Sequence, residues 1–313
     1  MTASIDADFD IVIIGGSYAG LSAALQAARA RARVLVIDAG QRRNRFAAAS
    51  HGFLGRDGAD PAQIVAEARA QLLAYPTVTW RAATARAARP SDGGFAIDLD
   101  DAPGAAPIRA RRIILATGVT DDLPAVPGLA ERWGKSVFHC PYCHGYELMR
   151  GPIGLLASQP IAAHAAQLLP DWGQTTWFTA LPGQPAVVLD DEPRRAIERR
   201  GATLEATPVA AIEGDDLTRP IVRLADGRGV ALAGLFVVPR LRLPPLARAL
   251  GLALEPGPLG DYVKTDAMTK ETSLPGVFAC GDVATPAGNV AGAVGDGARA
   301  GAFAHQSLIF RPR

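Results

Sequence analysis

Cysteine is scarce in this chain. Among 313 residues there are three, too few for the disulfide framework that staples small secreted domains. Only Cys140 and Cys143 are close together, and Cys280 lies in a different motif, so four thiolate ligands for zinc are lacking and no metal site is expected. An excess of either charge is missing as well. Lys and Arg number 32 against 31 Asp and Glu, for a net charge of +1, and no basic block gathers anywhere. Aromatic residues make up 6 %, which offers no stacking platform for bases, so nothing points to nucleic acid. The opening stretch MTASIDADFD is acidic and has no positive segment followed by an apolar run, so it is not read as a secretory signal. No apolar run is long enough to span a bilayer. The expectation is a cytoplasmic protein with no membrane or nucleic-acid partner.

What is plentiful is glycine (33), proline (24) and apolar residues (49 %), a balance that suits a strand-rich α/β fold with tight turns and one large or two medium domains. Residues 10–38 make the clearest statement. Ile11-Val12-Ile13-Ile14 is a short all-apolar run of the kind found in a parallel strand buried on both faces. Gly15-Gly16-Ser17-Tyr18-Ala19-Gly20 turns the chain into an Ala-rich helix over 21–31, and Val34-Leu35-Val36-Ile37 returns as a strand ended by Asp38. This is the pattern of a dinucleotide-binding βαβ unit, in which loop N–H groups and a helix N-terminus receive a pyrophosphate and a carboxylate takes ribose hydroxyls. Gly15 and Gly20 match the first and third fingerprint glycines, whereas Ser17 occupies the place of the second.

Further along, a helix is expected over 62–75, then strands at 77–80 and 95–99 about a turn at Ser91-Asp92-Gly93-Gly94. Arg112-Ile113-Ile114-Leu115-Ala116-Thr117-Gly118 reads as another buried strand that stops at a glycine, and the Pro-containing stretch 121–128 as a domain crossing. A second nucleotide-type unit follows, with a strand at 153–158, a helix over 161–169 and a return strand at 175–178. Its loop, Ser158-Gln159-Pro160-Ile161, has no glycine, and Pro160 removes an N–H donor. After Phe178, Thr179-Ala180-Leu181-Pro182 supplies neither an acid for a ribose nor arginines for a 2′-phosphate. Past a hairpin with its turn at Asp226-Gly227, the chain ends with Leu274-Pro275-Gly276-Val277-Phe278-Ala279-Cys280-Gly281-Asp282 and a Gly/Ala-rich helix over 292–307.

The chemistry concentrates at His139-Cys140-Pro141-Tyr142-Cys143-His144-Gly145-Tyr146-Glu147. Two thiols two residues apart can close a small disulfide ring, and Pro141 fits the first position of a short helix capped by Cys140. A helix N-terminus and flanking imidazoles give a thiolate a physical reason to form. A structural disulfide and a pair of inert buried thiols are the plainer alternatives.

Taken in order, these pieces resemble the low-molecular-weight thioredoxin reductase family: a flavin-type βαβ, an Ala-Thr-Gly strand end, a Cys-x-x-Cys pair heading an inserted second βαβ, and a returning Leu-Pro-Gly-Val-Phe-Ala-x-Gly-Asp motif. The resemblance implies an α/β fold of two nucleotide-binding, three-layer (ββα/Rossmann-like) domains, residues 1–120 with 241–313 and an inserted 121–240, paired as a homodimer. It implies FAD as cofactor, with Gly15, Ser17, Gly20, Asp38, Gly118, Gly281 and Asp282 along it. Cys143 would face the flavin and Cys140 would exchange with substrate. His144 is the candidate base and His139 a second; Cys280 is read as packed, and Tyr142 and Tyr146 as pocket walls or plain packing. His51-Gly52-Phe53-Leu54-Gly55 is either a loop near the flavin, as in the family, or an ordinary turn.

The chain departs from the reductases where they bind NADPH. The Cys-Pro-Tyr-Cys-His-Gly-Tyr-Glu string is more similar to the branch that includes the dithiol oxidases of gliotoxin and holomycin biosynthesis. The function implied is oxidation of a small-molecule dithiol, electrons passing through Cys140/Cys143 and FAD to oxygen, with hydrogen peroxide released. An NAD(P)H-dependent disulfide reductase and a non-catalytic flavin-binding redox sensor are the alternatives.

Overall fold

The computed structural model describes residues 7–101, 103–157, 159, 161–183 and 186–311. The chain separates into two compact units. One comprises Met1–Arg43, Ala62–Thr120 and Leu241–Arg313, the other Asn44–Pro61 and Asp121–Arg240. Residues 44–61, which the sequence places with the N-terminal domain, group with the second unit because Phe46 packs on Gly134 and His51 meets Glu147.

The first unit begins β1 (Phe9–Ile14), α1 (Tyr18–Arg29), β2 (Val34–Asp38), α2 (Pro61–Leu73), β3 (Val78–Ala82), β4 (Ala85–Ser91), β5 (Gly94–Leu99) and β6 (Ile108–Leu115). Its sheet runs β3-β2-β1-β6-β5-β4, with Val277–Ala279 also paired to β6. β1 lies parallel between β2 and β6, Ile13 opposite both Val36 and Ile114. The apolar runs are continuous because the sheet is buried on both sides: Val12, Ile14, Leu35 and Ile37 enter one core cluster, and Ile11, Ile13, Val34 and Val36 the other. One expectation is corrected here. The turn at 92–93 joins β4 to β5, Ser91 opposite Gly94, while β3 runs parallel to β2. β4 reads Ala-Arg-Ala-Ala-Arg-Pro-Ser, with no β-branched residue to reveal a strand.

The helix Val290–Phe310 is capped at its start by the Asn289 side chain, which accepts from Gly292 N–H. It lies on α1 with backbones close together; a methyl added at Gly297 or Gly301 would strike the carbonyl of Ala19 or Ala23. Its far end is tied to β6 by Arg112, whose guanidinium donates to Ser307 Oγ, Ser307 O and Arg311 O, satisfying carbonyls that a helix end leaves open.

In the second unit a five-stranded parallel sheet runs Thr203–Glu205, Gly173–Phe178, Arg150–Leu156, Gly234–Val237, Val137–Phe138. Leu156, Phe178, Leu235 and Val237 face one core and Ile153, Leu155, Trp177 and Phe236 the other, so this sheet too is covered on both faces. The helices Ala162–Leu168 and Asp191–Arg199 and a three-stranded antiparallel sheet complete it. Each unit is a Rossmann-like α/β arrangement.

The helix contact makes a test. Gly297→Val is expected to lower stability by about 1–3 kcal/mol through overpacking against Ala19. Gly295→Ala, with nothing within 4 Å of the new methyl, should be neutral or stabilise by about 0.5–1 kcal/mol. Thermal unfolding of the two variants reads the difference.

Candidate active site

In the first unit the sequence-named groups collect at the carboxyl ends of parallel strands. Gly15 follows β1, Asp38 ends β2, Gly118 follows β6, and Gly281 and Asp282 follow Val277–Ala279. Gly15 has φ 106°, and a Cβ there would collide with the Ala116 carbonyl; one on Gly20 would collide with the carbonyl of Gly15. The loop is therefore bare backbone folded tightly onto the start of α1. Ser17 is the N-cap of α1, and its side chain makes no capping hydrogen bond. Asp38 Oδ1 accepts from Gly16 N–H at 3.0 Å, which fixes the carboxylate beside the loop and leaves acceptor capacity free. Beside it lies a pocket of about 440 Å³ lined by Asp38, Gly40, Arg69, Trp80, Ala83 and Thr84. Arg69 stands over the Trp80 ring, 4.2 Å from its centroid. Gly118 and Gly281 both have positive φ, 64° and 73°. Asp282 accepts from Arg43 at 2.8 Å, a pair that no sequence motif announced.

The second unit holds the cysteine pair. Cys140 and Cys143 are joined as a disulfide. Cys140 caps the one-turn helix Pro141–His144, its Sγ accepting from Cys143 N–H at 3.1 Å, with Pro141 at the first helical position. His144 stacks on Phe138, centroids 4.3 Å apart and planes 15° from parallel. Both its nitrogens are shielded from solvent and neither has a hydrogen-bond partner; the Cys140 carbonyl is close enough to favour the charged ring but misses hydrogen-bond geometry. Burial lowers the imidazole below its ordinary value, against an opposing pull from Glu147 and with a smaller push from His51. Burial thus favours the neutral imidazole of His144, which is next in sequence to Cys143 of the disulfide.

Other candidates separate clearly. His139 lies 5.9 Å from Trp133, ring centre to ring centre. Cys280 is fully buried, and burial pushes its thiol up to about 12, which removes it from thiolate chemistry. Tyr142 and Tyr146 are exposed, Tyr142 standing edge-on to Trp172 with centroids 5.1 Å apart. Trp172 also packs against Gly145, where a side chain would strike its ring. The His51 contact with Glu147, 3.4 Å from Nε2 to Oε1, was not visible from sequence, because 96 positions separate the two.

The equivalent strand ends in the second unit are occupied by the protein itself. Ser158 and Pro160, two members of the glycine-free loop, lie outside the described residues. Between them Gln159 donates its amide to the carbonyls of Val238 and Pro239, at 2.9 and 3.0 Å. It thereby links the end of Arg150–Leu156 to the end of Gly234–Val237, its neighbour in the sheet. Thr179 N–H and Oγ1 both bond the Glu205 carbonyl, and Ala180 and Leu181 are buried. On the helix Asp191–Arg199 and its end, Arg194, Arg195, Arg199 and Arg200 are each paired with a carboxylate.

A family model described as pyridine nucleotide-disulphide oxidoreductase matches residues 9–297. The chain belongs to that family. It is 35 % identical to the thioredoxin reductase tcpT of Claviceps purpurea, over 96 % of this chain and 94 % of the relative. Among solved structures it resembles an oxidoreductase from Agrobacterium tumefaciens at 53 % identity and TM-score 0.90, covering 97 % and 99 % of the two chains. HlmI follows at 36 % identity and TM-score 0.87, covering 98 % and 94 %. The protein is a thioredoxin reductase-like flavin disulfide oxidoreductase, and FAD is its cofactor.

The first unit fits that cofactor on its own geometry. A loop whose glycines leave no room for side chains opens onto a helix start, with a carboxylate and a pocket beside it, as a dinucleotide requires. Among the described residues no helix is long and apolar enough to cross a membrane. Gly20→Val should yield protein that no longer retains FAD through gel filtration, read as loss of the flavin absorbance, with the second unit's disulfide still present by thiol counting. Full flavin content in this variant would contradict the placement.

Proposed function

We propose that the chain is an FAD-dependent dithiol oxidase acting on a small-molecule dithiol through Cys140 and Cys143. The observation that carries this reading is the Gln159 bridge to Val238 and Pro239, which occupies the strand ends where a nicotinamide dinucleotide would lay its phosphates. With that entrance filled, electrons enter through sulfur.

A substrate thiol gives its proton to neutral His144, and the thiolate attacks the Cys140 sulfur, breaking the disulfide and releasing Cys143 as thiolate. The second substrate thiol, once deprotonated, attacks the substrate sulfur of the mixed disulfide. The substrate leaves as a disulfide, and both cysteines are reduced by two electrons in total. FAD, when bound, supplies the acceptor that restores the Cys140–Cys143 disulfide and delivers the electron pair to oxygen as hydrogen peroxide. Gly118, Gly281 and Asp282 are assigned to the flavin side of that path, Asp38 and the Gly15–Gly20 loop to its nucleotide end.

A second reading, an NAD(P)H-dependent disulfide reductase, is favoured by the name thioredoxin reductase that tcpT carries. Under it, NADPH would be consumed in the presence of a disulfide.

Oxygen uptake and peroxide yield against a panel of small dithiols, without NADPH, test the proposal. One peroxide per disulfide formed is expected, and Cys143→Ser should abolish turnover. His144→Gln should reduce kcat/KM by about 10²–10⁴-fold, the usual contribution of a positioned base. Because burial holds the imidazole below 6.5, the base stays unprotonated as pH falls through that value, and the acid-side loss of rate should begin below it. Failure of every dithiol to support oxygen uptake, or a fully active Cys143→Ser variant, would overturn the proposal.

A further inference from the structure

A charged side chain from the loop after β2 meets Asp282. Arg43 Nη1 donates to Asp282 Oδ2 at 2.8 Å, and both side chains are mostly sheltered, 18 % and 19 % exposed. The carboxylate is confined from another direction as well: a methyl on Gly288, just ahead of the helix Val290–Phe310, would strike Asp282 Oδ1. Gly281, the preceding residue, takes φ 73°, and a Cβ there would come within 2.9 Å of the Ala19 side chain in the first turn of α1. Asp282 therefore follows directly on a close contact with the helix start where the glycine loop presents its N–H groups.

The arginine reaches it from across the sheet. Strand order places β2 three positions from Val277–Ala279, with β1 and β6 between them, a separation of about 14 Å at about 4.8 Å per strand. Arg43 comes soon after Asp38, which ends β2, so the ion pair joins the loop that leaves one carboxylate to the strand end that carries the other. A sheltered pair is screened less than a surface one, and removing one partner leaves the charge of the other uncompensated. That cost falls on the cofactor, because FAD brings a negatively charged diphosphate to a unit whose strand ends already carry Asp38 and Asp282. Arg43 offsets one of the two carboxylates. It takes one of several acceptor positions on Asp282 and leaves others for a hydroxyl donor.

We propose that Arg43 is a positioning residue for the cofactor: it orients the Asp282 carboxylate and balances its charge, so that Asp282 can accept from hydroxyl groups of FAD without repelling the diphosphate. The inference rests on the assignment of Asp282 to the cofactor, and it routes the whole contribution of Arg43 through that carboxylate.

A double-mutant cycle read by cofactor affinity tests this without recourse to turnover. The holoenzyme is diluted in steps, and released FAD is separated by ultrafiltration and quantified by its absorbance. Asp282→Asn is expected to weaken FAD binding, and Arg43→Gln to weaken it by about 10–100-fold. In the Asp282→Asn background, Arg43→Gln should add no more than about twofold, because the carboxylate it served is gone. Arg43→Lys keeps the positive charge and should recover most of the affinity; should Arg43→Gln fail to fold, the smaller loss in Arg43→Lys is followed through the same cycle and should likewise vanish with Asp282→Asn. Unchanged affinity in Arg43→Gln, losses that multiply in the double variant, or a lysine variant as weak as the glutamine one would each overturn the proposal while Asp282 keeps its assignment. Full affinity in Asp282→Asn would remove that assignment, and the proposal with it.

Discussion

A parallel sheet covered on both faces leaves a ligand one place to bind, the carboxyl ends of its strands, and everything in this protein follows from how each unit treats that edge. In the first unit the edge is kept open by glycines that tolerate no side chain and by Asp38, tied to Gly16 N–H so that it stands beside the loop. In the second unit the same edge carries Gln159, whose amide spans from one strand end to the carbonyls of the next. One scaffold is built for a dinucleotide, and the other spends the same position on its own backbone. The proposed direction of electron flow is a consequence of that difference.

Burial shifts two titratable side chains in opposite directions. At Cys280 it drives the thiol up to about 12, which disfavours a thiolate there and is consistent with assigning the proposed thiol exchange to the pair. At His144 it lowers the imidazole, whose ring nitrogens make no hydrogen bond, and so favours the neutral ring that the proposed base requires. Phe138 stacks on the ring instead, and Glu147 opposes the effect of burial. Packing rather than hydrogen bonding holds this ring, so neither nitrogen is committed to a partner within the protein.

Much of the fold was legible because buried parallel strands announce themselves. Ile11–Ile14 and Val34–Ile37 could be read without ambiguity, since both faces of the sheet demand apolar residues. The Cys140 cap and the Pro141 start were legible for a local reason: the geometry of a helix beginning is set by a few adjacent residues. What escaped was either weak in pattern or distant in sequence. β4 carries alanine, arginine and proline where a strand signal needs branched side chains. The Arg43–Asp282 and His51–Glu147 pairs, and the grouping of residues 44–61 with the second unit, depend on chain returns that no local pattern encodes. The glycine-free loop was visible as an absence, but that Gln159 turns the absence into a bridge required its side-chain geometry.

The central claim is that reducing equivalents arrive from a dithiol and not from a nicotinamide. Anaerobic rapid mixing of the oxidised holoenzyme, in separate experiments, with a small dithiol and with NADPH tests this most directly. The account predicts that the dithiol bleaches the flavin absorbance within the turnover time while NADPH leaves it unchanged; rapid bleaching by NADPH, with none by any dithiol, would contradict it.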